Sequence, residues 1–97
     1  MQYFYMYILR CRDGSYYVGH TDNIELRLGQ HQSGLFPGYT SRRRPVELVY
    51  NEMFTTRDDA FAAEMQVKSW SRAKKEGLIR GDWKSISEAA RKTFKRS

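Results

Sequence analysis

The stretch YFYMYILRCRDGSYYVG, residues 3–19, decides the fold. Its first half, Tyr3 to Arg10, is aromatic or apolar on both faces of an extended chain. Tyr3, Tyr5, Tyr7 and Leu9 fall on one face, and Phe4, Met6 and Ile8 on the other. A strand apolar on both sides belongs in the middle of its sheet. Asp13-Gly14 follows as a hairpin turn signal, because glycine accepts the positive φ that tight hairpin turns require. Ser15 to Gly19 then returns as a short second strand, and Gly19 ends it where a side chain is unwelcome.

Downstream, Asp22 with Glu25 three residues on forms a capping-box pattern and predicts a helix from about Asn23 to Ser33, stopped by Gly34. Residues 34–45 are rich in Gly and Pro and read as a loop with restricted backbone freedom. Val46 to Met53 alternates as a third strand, and Thr56 with Asp59 opens a longer helix to about Trp70. A short helix from Ser71 to Leu78 follows, stopped near Gly77 and Gly81, and Ser85 with Glu88 caps a final one. The order is ββαβα plus C-terminal helices: an α+β fold with a small antiparallel three-stranded sheet flanked by helices. Residues 1–83 are expected to form one domain, followed by a basic segment at 84–97.

At 97 residues, 40% hydrophobic and 14% aromatic, the chain can build a packed core, and its composition excludes an intrinsically disordered protein. Tyr3 to Leu9 is far too short to span a bilayer, and it lacks the basic flank and cleavage site of a signal peptide. A single cysteine, Cys11, and no Cys/His spacing for zinc point to the cytoplasm, with no structural metal. The formal charge is +6, which favours a polyanionic partner. Residues 84–97 carry +4 of it and residues 1–83 only +2. A solvated basic end is the plainer account of that asymmetry.

Three groups of residues could carry chemistry. On the first helix, Ile24 and Leu28 define the apolar stripe, with Arg27 and His31 beside it, four residues apart and within reach of one ligand; from this helix alone, an ordinary surface arginine and a boundary histidine are the plainer reading. His31 titrates near neutrality and can move a proton. On the second helix, Ala60, Ala63, Val67 and Trp70 make one apolar face and Phe61 and Met65 another, with Glu64 between them. A carboxylate in that position needs a cation or a partner. An ion pair with Lys68 one turn on would account for it as well as a metal-ligand or general-base role in a cleft does. Tyr7 and Tyr17 lie on consecutive strands of one hairpin, where two phenols could serve as hydrogen-bonding or proton-transfer groups.

Taken together, Tyr5-Met6-Tyr7, Tyr17-Val18-Gly19, Arg27, His31 and Glu64 resemble the GIY-YIG endonuclease superfamily, over about Tyr3 to Ile79. The resemblance is to the small stand-alone bacterial members. Tyr5 and Met6 stand where the family name has Gly and Ile, and Val18 replaces the second Ile. No polar residue beyond the glutamate matches the one some members carry; Lys68 or Lys74 would have to substitute. The resemblance implies hydrolysis of a phosphodiester bond with one divalent cation, Mg²⁺ or Mn²⁺. Glu64 would hold it largely through water, and the ion would stabilise the leaving oxygen. Arg27 would neutralise charge at phosphorus. Tyr7, Tyr17 and His31 would orient water and relay its proton, with the base among the three left open.

For binding, Arg42, Arg43 and Arg44 in the Gly/Pro loop could hold phosphates, with Tyr39 stacking on a base and Lys68 or Lys74 adding charge. No sequence-reading element is evident, so DNA, with RNA as an alternative, would be bound by structure and with steep salt dependence. The competing reading is a binding module of the same fold that does not turn over or that needs a protein partner for specificity. A small-molecule hydrolase is disfavoured, because no nucleophile elbow or Gly-rich phosphate loop occurs.

Overall fold

The computed structural model describes residues 1–82, and the helix expected from Ser85 lies outside them. Three strands, β1 (Phe4–Arg10), β2 (Tyr16–Thr21) and β3 (Glu47–Phe54), and three helices, α1 (Ile24–Ser33), α2 (Arg57–Lys68) and α3 (Arg72–Arg80), follow the order ββαβαα. The sheet is antiparallel, with strands ordered β2-β1-β3. The doubly apolar strand is the central one, as its pattern requires.

Alternation along β1 separates two cores. Tyr7, Leu9, Cys11 and Val46 pack with Ile24 and Leu28 of α1. Met6, Ile8 and Val18 pack on the opposite face with Val67 of α2 and Leu78 of α3. The helices therefore cover both faces of a three-stranded sheet. Cys11 is buried and unbonded, consistent with a small residue filling a strand end.

Helix caps set the boundaries. The cap of α1 is Asn23, whose side chain accepts from the Leu26 amide at 3.0 Å. The expected Asp22–Glu25 capping box does not form. Asp22 instead accepts from Gln2 and Arg57, and asparagine caps a helix as well as aspartate does. Gly34, at φ 80°, ends α1 in the left-handed conformation that favours glycine. Thr56 caps α2 as expected, accepting from the Asp59 amide. That helix stops at Lys68 rather than Trp70, because Ser71 starts α3 by accepting from the Lys74 amide. Gly77 does not stop α3. It is buried within the helix, which ends at Gly81. The Gly/Pro loop holds a short 3₁₀ turn, Tyr39–Arg42, that was not evident from the sequence.

One cross-strand pair constrains the hinge between sheet and site. Gly19 lies opposite Tyr7, and a Cβ there would sit 2.6 Å from Tyr7 Oη, 2.8 Å from Tyr7 Cζ and 3.1 Å from a carbon of the Tyr17 ring. Tyr7 is 2% exposed and has nowhere to retreat. Gly19→Ala is therefore expected to lower stability by about 1–3 kcal/mol through overpacking, measured by urea unfolding. Unchanged stability would mean that Tyr7 has freedom this packing denies it.

Candidate active site

Tyr7 emerges from β1 beneath Gly19 and meets His31 of α1, with Oη and Nε2 3.0 Å apart. The other imidazole nitrogen lies 2.7 Å from Thr40 Oγ1, so the ring is held at both ends. His31 and Thr40 are fully buried. The helix wheel placed His31 at the edge of the apolar stripe. It is covered because the loop after α1 folds back, setting Phe36 4.4 Å from the imidazole between ring centroids. The same Phe36 ring carries the Arg27 guanidinium 4.9 Å above it. Tyr17 closes the other side, with ring centroids 5.1 Å from His31 and 6.3 Å from Tyr7.

Burial pushes the His31 pKa down to about 4, with the Arg27 charge adding to the effect, so the ring is neutral at pH 7. Burial raises the Tyr7 phenol well above its usual range, and the neighbouring Tyr17 phenol adds to this. Arg27 opposes it by charge and hydrogen bond. Tyr17 is also raised, by burial and then by the charge of Glu64, against Lys68 and Arg27.

Glu64 comes from the opposite face of the sheet. It is 7% exposed on α2, and its charge reaches both phenols around the edge strand β2. Its two oxygens are taken by different nitrogens. His20 Nδ1 is 2.5 Å from Oε1 and Lys68 Nζ is 2.8 Å from Oε2. The expected Glu64–Lys68 pair is thus present, and it holds Lys68 charged, chiefly through that hydrogen bond. His20 was not singled out from the sequence. It follows Tyr17-Val18-Gly19 directly, and strand alternation could have turned it toward α2. No group of three or more His, Cys, Asp or Glu side chains forms a metal cluster among the described residues.

Tyr17, Tyr39 and Lys68 line a cleft of about 280 Å³ with Tyr16, Val18 and Lys75. Lys75, not Lys74, lies here; Lys74 sits 5.0 Å over the Trp70 ring instead. The three loop arginines do not act alike. Arg43 donates to Asp13 and to the Tyr39 carbonyl and covers the Tyr39 ring at 3.9 Å. Arg44 donates to the carbonyls of Ser41 and Gln32. Arg42 is exposed and shares an open cleft with Arg12.

Two phenols, a neutral imidazole, a guanidinium and one carboxylate thus gather around the edge of a small α+β sheet. Residues 3–77 match the family model described as the GIY-YIG catalytic domain, and the chain belongs to that family of nucleases. The UPF0213 protein SSP2268 of Staphylococcus saprophyticus is 48% identical over 75 residues, 77% of this chain and 92% of that protein. A UPF0213 protein of Bacillus pumilus is 47% identical over 77% of this chain and 76% of its own length. Two solution NMR structures are similar. That of the UPF0213 protein BH0048 from Bacillus halodurans has a TM-score of 0.53 at 41% identity, covering 80% of this chain and 83% of that one. That of EF2693 from E. faecalis has a TM-score of 0.58 at 40% identity, covering 84% and 86%.

The low His31 pKa carries a sign. The unfolded chain takes up this proton near the usual 6.5 and the folded one only near 4, so acid favours unfolding across that window. The stability that neutral His31 supports is complete above pH 6.5 and lost as pH falls through 4. At about 1.4 kcal/mol per pH unit, the loss approaches about 3 kcal/mol. Urea unfolding at pH 7 and pH 4.5 should show a shallower pH dependence for His31→Gln than for wild type. Identical dependences would mean that the imidazole is solvated.

Proposed function

We propose that this protein is a divalent-metal-dependent endonuclease that hydrolyses phosphodiester bonds in DNA, selecting branched or damaged structures rather than a fixed sequence. The observation that carries this reading is the contact of Tyr7 with a neutral His31, beside Arg27 and around one strand edge from Glu64. With Nδ1–H donated to Thr40, Nε2 is free to accept the Tyr7 proton. As Tyr7 gives up that proton it takes one from the attacking water, and Tyr17 holds the water in line. Burial and Arg27 disfavour the resulting imidazolium until a phosphate brings negative charge beside it. Arg27, held over Phe36, faces the charge that builds on the phosphorus oxygens.

The fit of Glu64 to a metal rests on its chemistry here. It is a buried carboxylate whose oxygens are both held by nitrogen donors, a position suited to positive charge. Glu64 would hold one Mg²⁺ or Mn²⁺, mostly through water. An ion held there would supply stabilisation of the leaving oxygen. Tyr39, Lys68 and Lys75 in the adjoining cleft offer a ring and two cations to the flanking strand. No helix among the described residues is long and apolar enough to cross a membrane. The cytoplasm, suggested by the cysteine usage, is where we place the activity. The basic segment at 84–97, outside the described residues, would extend the DNA contact.

Cleavage of labelled branched and linear DNA, with Mg²⁺ or Mn²⁺ and with EDTA, tests the reading. Glu64→Ala should reduce metal-dependent cleavage about a hundredfold or more and leave DNA affinity within a few-fold. Full activity in that variant would remove Glu64 from the mechanism. Salt-sensitive binding by wild type without cleavage would favour the binding-module reading instead.

The loop arginines generate a second prediction. Arg42→Ala should lower the salt slope of DNA binding by about one unit, the contribution of one phosphate contact. Arg43→Ala and Arg44→Ala should act mainly by loosening the loop, reducing thermal stability. An unchanged slope for Arg42→Ala, measured by fluorescence anisotropy between low and moderate salt, would place the phosphates elsewhere.

A further inference from the structure

The Glu64 carboxylate does not stand alone: an imidazole from β2 points its nitrogen at the oxygen that Lys68 leaves free. His20 reaches it from β2, paired across the sheet with Met6. Its ring packs edge-on against Phe61 of α2, one turn before Glu64, with centroids 5.3 Å apart at 62°. That packing fixes the direction of Nδ1, which lies 2.5 Å from Glu64 Oε1. The side chain remains 24% exposed, so one edge of the pair opens to solvent and an ion can reach it.

We propose that His20 is a second protein ligand of the divalent ion held at Glu64, making the site a nitrogen–oxygen pair that prefers Mn²⁺ to Mg²⁺. The inference rests on the reading of Glu64 as the metal ligand and deepens it. Without metal, Nδ1–H donates to Oε1. With the ring proton on Nε2 instead, the Nδ1 lone pair and Oε1 face a common point. Metal–nitrogen and metal–oxygen bonds of about 2.0–2.2 Å need the two atoms about 3 Å apart, an opening of about half an ångström that side-chain rotation supplies. Lys68, half-exposed on the other oxygen, is free to turn toward the adjoining cleft that it already lines. Imidazole suits first-row transition ions, whereas Mg²⁺ prefers oxygen and water, so a mixed pair ranks Mn²⁺ above Mg²⁺.

The probe is Mn²⁺ added to the full chain, followed by EPR titration and by electron spin-echo modulation from ligand ¹⁴N. Wild type should show a ¹⁴N coupling and hold Mn²⁺ at least tenfold more tightly than Mg²⁺, measured by competition. His20→Ala should lose the coupling and bind Mn²⁺ about tenfold more weakly. Near-UV circular dichroism serves as the check on its fold. His20→Asn, which keeps a side chain against Phe61, should lose the coupling too. In Glu64→Gln, Mn²⁺ binding should fall away. Mn²⁺ bound in a Glu64-dependent way with no ¹⁴N coupling, or with a coupling that survives His20→Ala, would overturn the role of His20 and leave Glu64 standing. Mn²⁺ binding that is absent from wild type, or indifferent to Glu64→Gln, would overturn both readings.

Discussion

The close approach of Tyr7 to Gly19 is the constraint on which the site depends. A phenol on the central strand must reach past the neighbouring edge strand to find a partner in α1, and only a residue without Cβ leaves it room. With the Tyr7 hydroxyl fixed, His31 has a defined partner, and the remaining imidazole nitrogen anchors Thr40. The loop between α1 and β3 is thereby tied to the sheet through a chain of side chains. The stability of the core and the alignment of the site are consequences of the same packing.

A second consequence is that the site belongs to neither face of the sheet. Tyr7, Tyr17 and His31 come from the α1 side, while Glu64, His20 and Lys68 come from the α2 side. They meet around β2 because it is an edge strand of the sheet among the described residues. The two halves therefore rest on different cores and need only β2 to hold their register. Buried groups shift strongly on the α1 side, where desolvation dominates. On the α2 side, Lys68 is raised chiefly by its hydrogen bond to Glu64.

Much of this was legible in the sequence, and the rest depended on tertiary detail. The apolar character of both faces of Tyr3 to Arg10 was enough to mark a central strand, and Gly19 was readable as a place for close approach. Helical spacing brought Arg27 near His31 and set Glu64 between apolar faces. The burial of His31 was not readable, because Phe36 and Thr40 cover it from a loop whose path no periodicity encodes. The contact of His20 with Glu64 spans 44 positions and follows from packing, not spacing. Which α3 lysine lines the cleft also follows from packing: Lys75 does, while Lys74 lies over the Trp70 ring. The intramolecular partners of Arg43 and Arg44, backbone carbonyls and for Arg43 also the Asp13 carboxylate, are set by the folded loop and were not readable from the arginine run.

Those two guanidinium groups have a further effect. By fastening the loop's own carbonyls, and through Arg43 the hairpin turn at Asp13, they settle the loop's shape before any polyanion arrives. A loop already ordered loses little conformational freedom when it docks. Association through this loop would then be governed by encounter and charge steering, without waiting for a segment to fold onto its partner.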